Sequence, residues 1–187
     1  MPAVVALLFF LSQPFWETKP PEQWTDREIE TVLHTSPWAQ TADPEPALLV
    51  YFATAAPIEE AEAELRARAT KPMPQPDPDY VDYLRDNREN VFVLCIPYRT
   101  LAGVGNAEED RRLETESRMK IGKKTYQILG HFPPTPSDPV LRLVFPREVK
   151  TTDKMVEFQL YVPGVPFPER DVSFYVKDLM FHSKLEM

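Results

Sequence analysis

The chain has 187 residues, with 21 Lys and Arg against 29 Asp and Glu, for a formal net charge of -8. That length suits one domain whose core needs no cross-link, and the negative balance excludes a nucleic-acid partner, whose phosphates require clustered cations. The single cysteine, Cys95, forbids an intramolecular disulfide, and 21 prolines against five glycines point to stiff loops and strand-end stops rather than a helical bundle.

In chain order, Ala3 to Leu11 (AVVALLFFL) is the first feature, a nine-residue apolar run. It is too short for a bilayer-spanning helix of about 20 residues, so no transmembrane segment is expected. It matches the apolar region of a secretory signal peptide, although no Lys or Arg precedes it and no small-x-small site follows. The expectation is an exported protein, in the periplasm, the envelope or the secreted fraction. The alternative is that the run forms a buried N-terminal strand or helix. The division follows: residues 1–13 a leader, 14–46 a linker and N-terminal helix, and 47–187 a single β-rich domain.

Trp24-Thr25-Asp26-Arg27-Glu28-Ile29 predicts a helix start. Thr25 caps, Glu28 completes a capping box, and Trp24 can pack on Ile29 as a staple. Pro37 stops that helix. Ala47 to Ala53 predicts a central strand. Pro57 opens a second helix with Ile58, Ala61, Leu65 and Ala69 on one stripe, and Glu62–Arg66 and Glu64–Arg68 pairs on the other face. After the proline-rich connector 71–78, a short helix over 79–88, capped by Asp79, buries Tyr80, Val81 and Leu84.

From Val91 the apolar period shortens. Val91–Ile96 reads as a buried strand and 103–112 as a polar loop or short helix. Leu113, Thr115, Ser117, Met119 and Ile121 alternate with charges as a half-buried strand does. Strands follow at 125–129, 140–145, 155–162 and 172–176, and a final alternation runs from Leu179 to Leu185. The fold class is therefore α+β: an antiparallel, immunoglobulin-like β-sandwich of about six or seven strands, with two or three helices in the N-terminal half.

Motifs with a chemistry are scarce. His34, His131 and His182 never fall at ligand spacing, and there is no His-Glu-x-x-His. Asp77, Asp79 and Asp82 crowd one junction but have no flexible glycine for a calcium loop. No nucleophile elbow, phosphate loop or dinucleotide fingerprint is present. Cys95 sits in the apolar run Val91–Ile96, the setting of a buried hydrophobe rather than a nucleophile. No catalytic, metal or cofactor residue is assigned. Trp16, Trp24 and Trp38 bracket the first helix. They either pin it to the domain or, for Trp38 and Trp16, meet a partner.

Several stretches have a familiar look. Trp24-Thr25-Asp26-Arg27-Glu28, Ser36-Pro37-Trp38-Ala39, Val144-Phe145-Pro146-Arg147, Asp153-Lys154-Met155-Val156-Glu157-Phe158 and Phe174-Tyr175-Val176-Lys177-Asp178-Leu179-Met180 together resemble a group of uncharacterised exported proteins of acidobacteria. The resemblance implies an envelope or secreted setting and brings no activity, ligand or catalytic residue. The expected function is a non-catalytic binding or scaffold module with a protein partner in the envelope. The alternatives are a hydrolase of unrecognised type and a carbohydrate or small-molecule binder on a tryptophan platform.

Overall fold

The capping box is where sequence and structure meet first. In the computed structural model, which describes residues 13–99 and 105–187, the Thr25 Oγ1 accepts the Glu28 N–H at 3.2 Å. The Glu28 carboxylate in turn accepts the Thr25 N–H at 2.8 Å. The helix they start, α2 (Asp26–Thr35), follows a single turn α1 (Phe15–Thr18) and ends at Ser36, before Pro37. The apolar run Ala3–Leu11 lies outside the described residues.

Two more helices come from the N-terminal half, α3 (Ala56–Arg68) and α4 (Pro78–Asn87), and a fifth, α5 (Ala107–Glu116), from the middle. On α3, Arg66 and Arg68 pair with Glu62 and Glu64 at 2.9 and 2.8 Å. On α4 the cap is Asp77, which accepts the Asp79 N–H at 2.8 Å, and not Asp79. Val81 points to solvent, while Tyr80 is buried.

The strands are β1 (Ala39–Ala42), β2 (Leu48–Phe52), β3 (Val91–Pro97), β4 (Arg118–Ile121), β5 (Lys124–Gln127), β6 (Gly130–Phe132), β7 (Val140–Pro146), β8 (Met155–Tyr161), β9 (Glu169–Tyr175), β10 (Met180–Phe181) and β11 (Lys184–Leu185). All pairings are antiparallel. One sheet has the order β1-β2-β3-β7-β6, a second β5-β4-β8-β9, and β10-β11 form a small hairpin. The class is α+β with antiparallel sheets, but the count is larger than the sequence suggests: eleven strands and five α-helices among the described residues, against six or seven strands and two or three helices.

Three differences explain the count. The alternation Leu113–Ser117 is overridden by α5, because Asn106 caps it by accepting the Glu108 N–H at 2.9 Å and Glu108, Glu109 and Asp110 favour the positive end of its dipole. β1 and β6 are too short to show a period. The alternation after Leu179 folds on itself as the β10–β11 hairpin, whose turn residues His182 and Ser183 have φ of 48° and 64°.

The two large sheets face each other across phenylalanines. Phe52, Phe92 and Phe145 of the first meet Phe158 and Phe174 of the second, with ring centroids 4.5 Å apart for Phe52–Phe174 and 5.1 Å for Phe145–Phe158. At one edge β1 runs beside β9, and Asp43 and Asp171 form a bridge between the two sheets. β4 and β5, which belong to the second sheet, are inserted in sequence between β3 and β7, which pair in the first. One core runs from Trp24 to Met187.

Candidate functional site

The outer face of the five-stranded sheet differs from its inner face. Alternate residues point there: Tyr51 on β2, Val91, Val93 and Cys95 on β3, Arg142 and Val144 on β7. α4 covers one end of this face through Tyr80, whose ring lies 5.4 Å from that of Phe132. α3 and the end of α2 stand on the other side. Between them the sheet is left open as a groove of three adjoining hollows.

The first hollow, about 230 Å³, is polar and holds Tyr51, Glu62, Arg66, Tyr80, Cys95 and Arg142. The second, about 360 Å³, shares Tyr51, Glu62 and Arg66 with it and is otherwise walled by His34 and by Leu33, Leu49, Leu65, Met73 and Pro97. The third, about 640 Å³, shares His34, Leu49 and Pro97 with the second and opens at the end of the sandwich among Pro46, Leu48, Tyr98 and Val165. The two larger hollows have the size of small-molecule sites, and the third carries His34, Glu45 and Arg99 beside its apolar walls.

Buried charge fixes the polar end. Arg142 interrupts the apolar run of β7 and is almost fully buried, so it needs a partner. Asp138 supplies it with two bonds, at 2.6 and 3.1 Å, and also accepts the Asp77 N–H at 2.9 Å, tying the start of α4 to β7. The Arg142 guanidinium lies 4.5 Å above the Tyr80 ring, a cation–π contact. Burial pushes the hydroxyls of Tyr51 and Tyr80 above the usual phenol range, so both stay protonated donors. The same burial pushes the Cys95 thiol up to about 12, which leaves it inert.

Arg170 holds the far rim. It is 2% exposed, donates to the carbonyls of Pro44 and of Pro166 (2.7 Å for the latter), and leaves its Nε buried without a partner. It thereby clasps the loop after β1 to the loop before β9. Burial draws its pKa down, opposed by Asp43 and Glu45. In the second loop Phe167 stands 67% exposed with a φ of 53°, a left-handed conformation rare for a bulky residue.

The tryptophans lie elsewhere. Trp38 is 0% exposed, donates its Nε1–H to the Glu186 carbonyl at 3.1 Å, and packs edge-on against Trp16 and Phe181. Trp16 is half-buried, and Trp24 is buried with its Nε1–H on the Lys19 carbonyl. Trp38 therefore presents no surface to a partner, and Trp16 only part of one. All three fasten the N-terminal segment to the core.

Each histidine faces a glutamate: His34 and Glu30 at 3.1 Å, His131 and Glu114 at 3.4 Å, His182 and Glu17 at 3.3 Å. Among the described residues no hydrogen bond joins a histidine to a Ser, Thr or Cys, and no group of three His, Cys, Asp or Glu converges as a metal site. Asp77, Asp79 and Asp82 do not converge either: Asp77 caps α4 and Asp82 pairs with Arg85 at 2.9 Å. A polar hollow of about 450 Å³ lies at the seam between β1 and β9, lined by residues such as Gln40, Asp43, Glu157 and Asp171, with no exposed aromatic ring for stacking on a sugar.

Tyr51, Glu62, Arg66, Tyr80, Asp138 and Arg142 are the groove residues that sequence reasoning missed. One signal was available: an arginine inside Val140-Leu141-Arg142-Leu143-Val144-Phe145, with Asp138 four residues before it, announces a buried ion pair. No helix among the described residues is long and apolar enough to cross a membrane. No family model matches the chain, and no curated protein or solved structure matches it either.

Proposed function

We propose that this chain is a non-catalytic binding or scaffold module of the bacterial envelope or secreted space, and that the groove between α3 and α4 is its binding surface. One observation carries the reading. The outer sheet face is built as a cleft, apolar along most of its length and closed at one end by a buried ion pair, and among the described residues no histidine is hydrogen-bonded to a nucleophile there. His34 lines the groove, but its partner is Glu30 of its own helix and no serine is among the lining residues.

Export is part of this proposal. It rests on the apolar run Ala3–Leu11 and on the resemblance to exported acidobacterial proteins. The kinship with immunoglobulin-like sandwiches is also part of it, supported by two antiparallel sheets facing across the phenylalanine layer.

Site-specific photo-cross-linking in the cells the chain comes from tests the groove. A photoreactive residue at Leu65 should give a discrete adduct, and one at the exposed Lys123 should not; equal labelling at the two positions rejects the groove as a binding surface. N-terminal sequencing of the recovered protein tests export. A mature chain beginning near Pro14 outside the cytoplasm supports it, and an intact Met1 in the cytosol removes it.

A further inference from the structure

We propose that the groove takes a single-chain amphiphile with a carboxylate head, a long-chain fatty acid, with the head at Tyr51, Tyr80 and Arg66 and the alkyl chain over Leu49, Leu65 and Met73. This rests on the groove being a binding surface and adds what it binds.

The head follows from hydrogen-bond accounting at the polar end. Tyr80 is 6% exposed, and its hydroxyl, open to the hollow rather than enclosed, has no hydrogen-bond partner among the described residues. The Tyr51 hydroxyl meets the Glu62 Oε1 at a long 3.5 Å and lies beside the Cys95 thiol. Arg66 gives its Nη2 to the Glu62 Oε2 at 2.9 Å and keeps a buried Nε with no acceptor. The nearby acids are already engaged: Glu62 by Arg66, and Glu59 by Arg88 at 2.5 Å. The shortage is therefore of acceptors. The buried Arg66 Nε is a donor left without an acceptor, which is costly, and a carboxylate brings two oxygens with about four lone-pair sites, enough to serve it and the open Tyr80 hydroxyl together.

The chain follows from what the trough cannot do. A peptide lying in it would bring one N–H and one C=O per residue along walls where Leu33, Leu49, Leu65, Met73 and Pro97 can pair with neither, and only His34, Tyr51, Glu62 and Arg66 offer polar atoms. An alkyl chain brings no polar group and gains from every apolar wall it covers. The trough runs on into the third hollow at Leu48 and Val165, so its length favours a long chain over a short one.

The test is equilibrium dialysis of the purified full-length chain with radiolabelled hexadecanoate below its micellar concentration, beside hexanoate and methyl hexadecanoate. Saturable one-to-one binding of hexadecanoate is expected, with hexanoate and the ester each at least about tenfold weaker, in line with the loss of chain contacts or of a charged hydrogen-bond acceptor. Tyr80→Phe keeps the ring and removes only the unpaired hydroxyl, and should weaken hexadecanoate about tenfold. Met73→Glu, in the connector before α4, should abolish binding without unfolding the chain, and Tyr175→Phe, exposed on β9, should leave it unchanged. Absence of saturable binding by the wild type, or binding that Tyr80→Phe and Met73→Glu leave intact, overturns the proposal. A protein adduct at Leu65 without hexadecanoate binding rejects the amphiphile and leaves the groove reading standing; no adduct and no binding reject both.

Discussion

The two faces of the five-stranded sheet are made by the same strands and obey different chemistry. On the inner face Phe52, Phe92, Leu94 and Phe145 meet the second sheet in a dry aromatic layer. On the outer face, one residue along each strand, Tyr51, Cys95 and Arg142 carry polar atoms into a groove. The pleat separates them, since neighbours in a strand point to opposite sides. A continuous apolar run such as Val91–Ile96 hides this division, because burial on both sides removes the alternation that would reveal it. The inner face holds the fold together; the outer face spends part of its packing on a site.

Substitutions can break that contrast. Phe145→Ala on the inner face removes a ring stacked on Phe92 and edge-on to Phe158, and should cost about 3–5 kcal/mol by chemical denaturation. A loss near that of a surface residue would mean the layer is not the core. Asp138→Ala on the outer face should cost about 3 kcal/mol, because it strands the buried Arg142 cation and the Asp77 N–H together. If Asp138→Ala proves neutral, the ion pair does not fix the groove wall.

Cys95 gives a pH-dependent test. Its folded thiol is pushed up to about 12 by burial, whereas an unfolded one titrates near ~8.5. Between those values the unfolded chain has lost a proton that the folded chain keeps, so stability is full below about pH 8 and falls as pH rises toward 12. The native protein at pH 8 should resist a maleimide for as long as it stays folded, and react on addition of denaturant. Rapid labelling of the native state would contradict the burial. The smallest effect belongs to Tyr80→Phe, which should change stability by less than about 0.5 kcal/mol because its hydroxyl bonds to nothing within the fold.

The legible parts of the chain were those set by local chemistry. Thr25 and Glu28 close their box within four residues, Pro57 and the Glu–Arg pairs mark α3, and the runs at Val91 and Val140 are strands in either reading. Where the answer depended on distant partners, the pattern misled. Leu113 alternates with its neighbours but is buried in a helix, and Trp38, attractive as an exposed anchor, is held by Glu186 from the other end of the chain. The groove was illegible for the same reason. Tyr51, Arg66, Tyr80 and Arg142 lie on four elements, and only the crossing of α3 and α4 over β2, β3 and β7 brings them together.

The insertion of β4 and β5 between β3 and β7 also governs how the chain reaches its shape. Each sheet closes late: β3 waits for β7 across a stretch committed to the opposite layer, and β4 waits for β8 across the stretch that holds β6 and β7. Pairings so far apart in sequence carry a large loop-closure cost that must be met before any contact rewards it. Refolding from denaturant should therefore be slow and all-or-none, on the scale of β-rich domains rather than helical ones, and cutting the chain between β5 and β6 should leave two halves, neither of which folds alone.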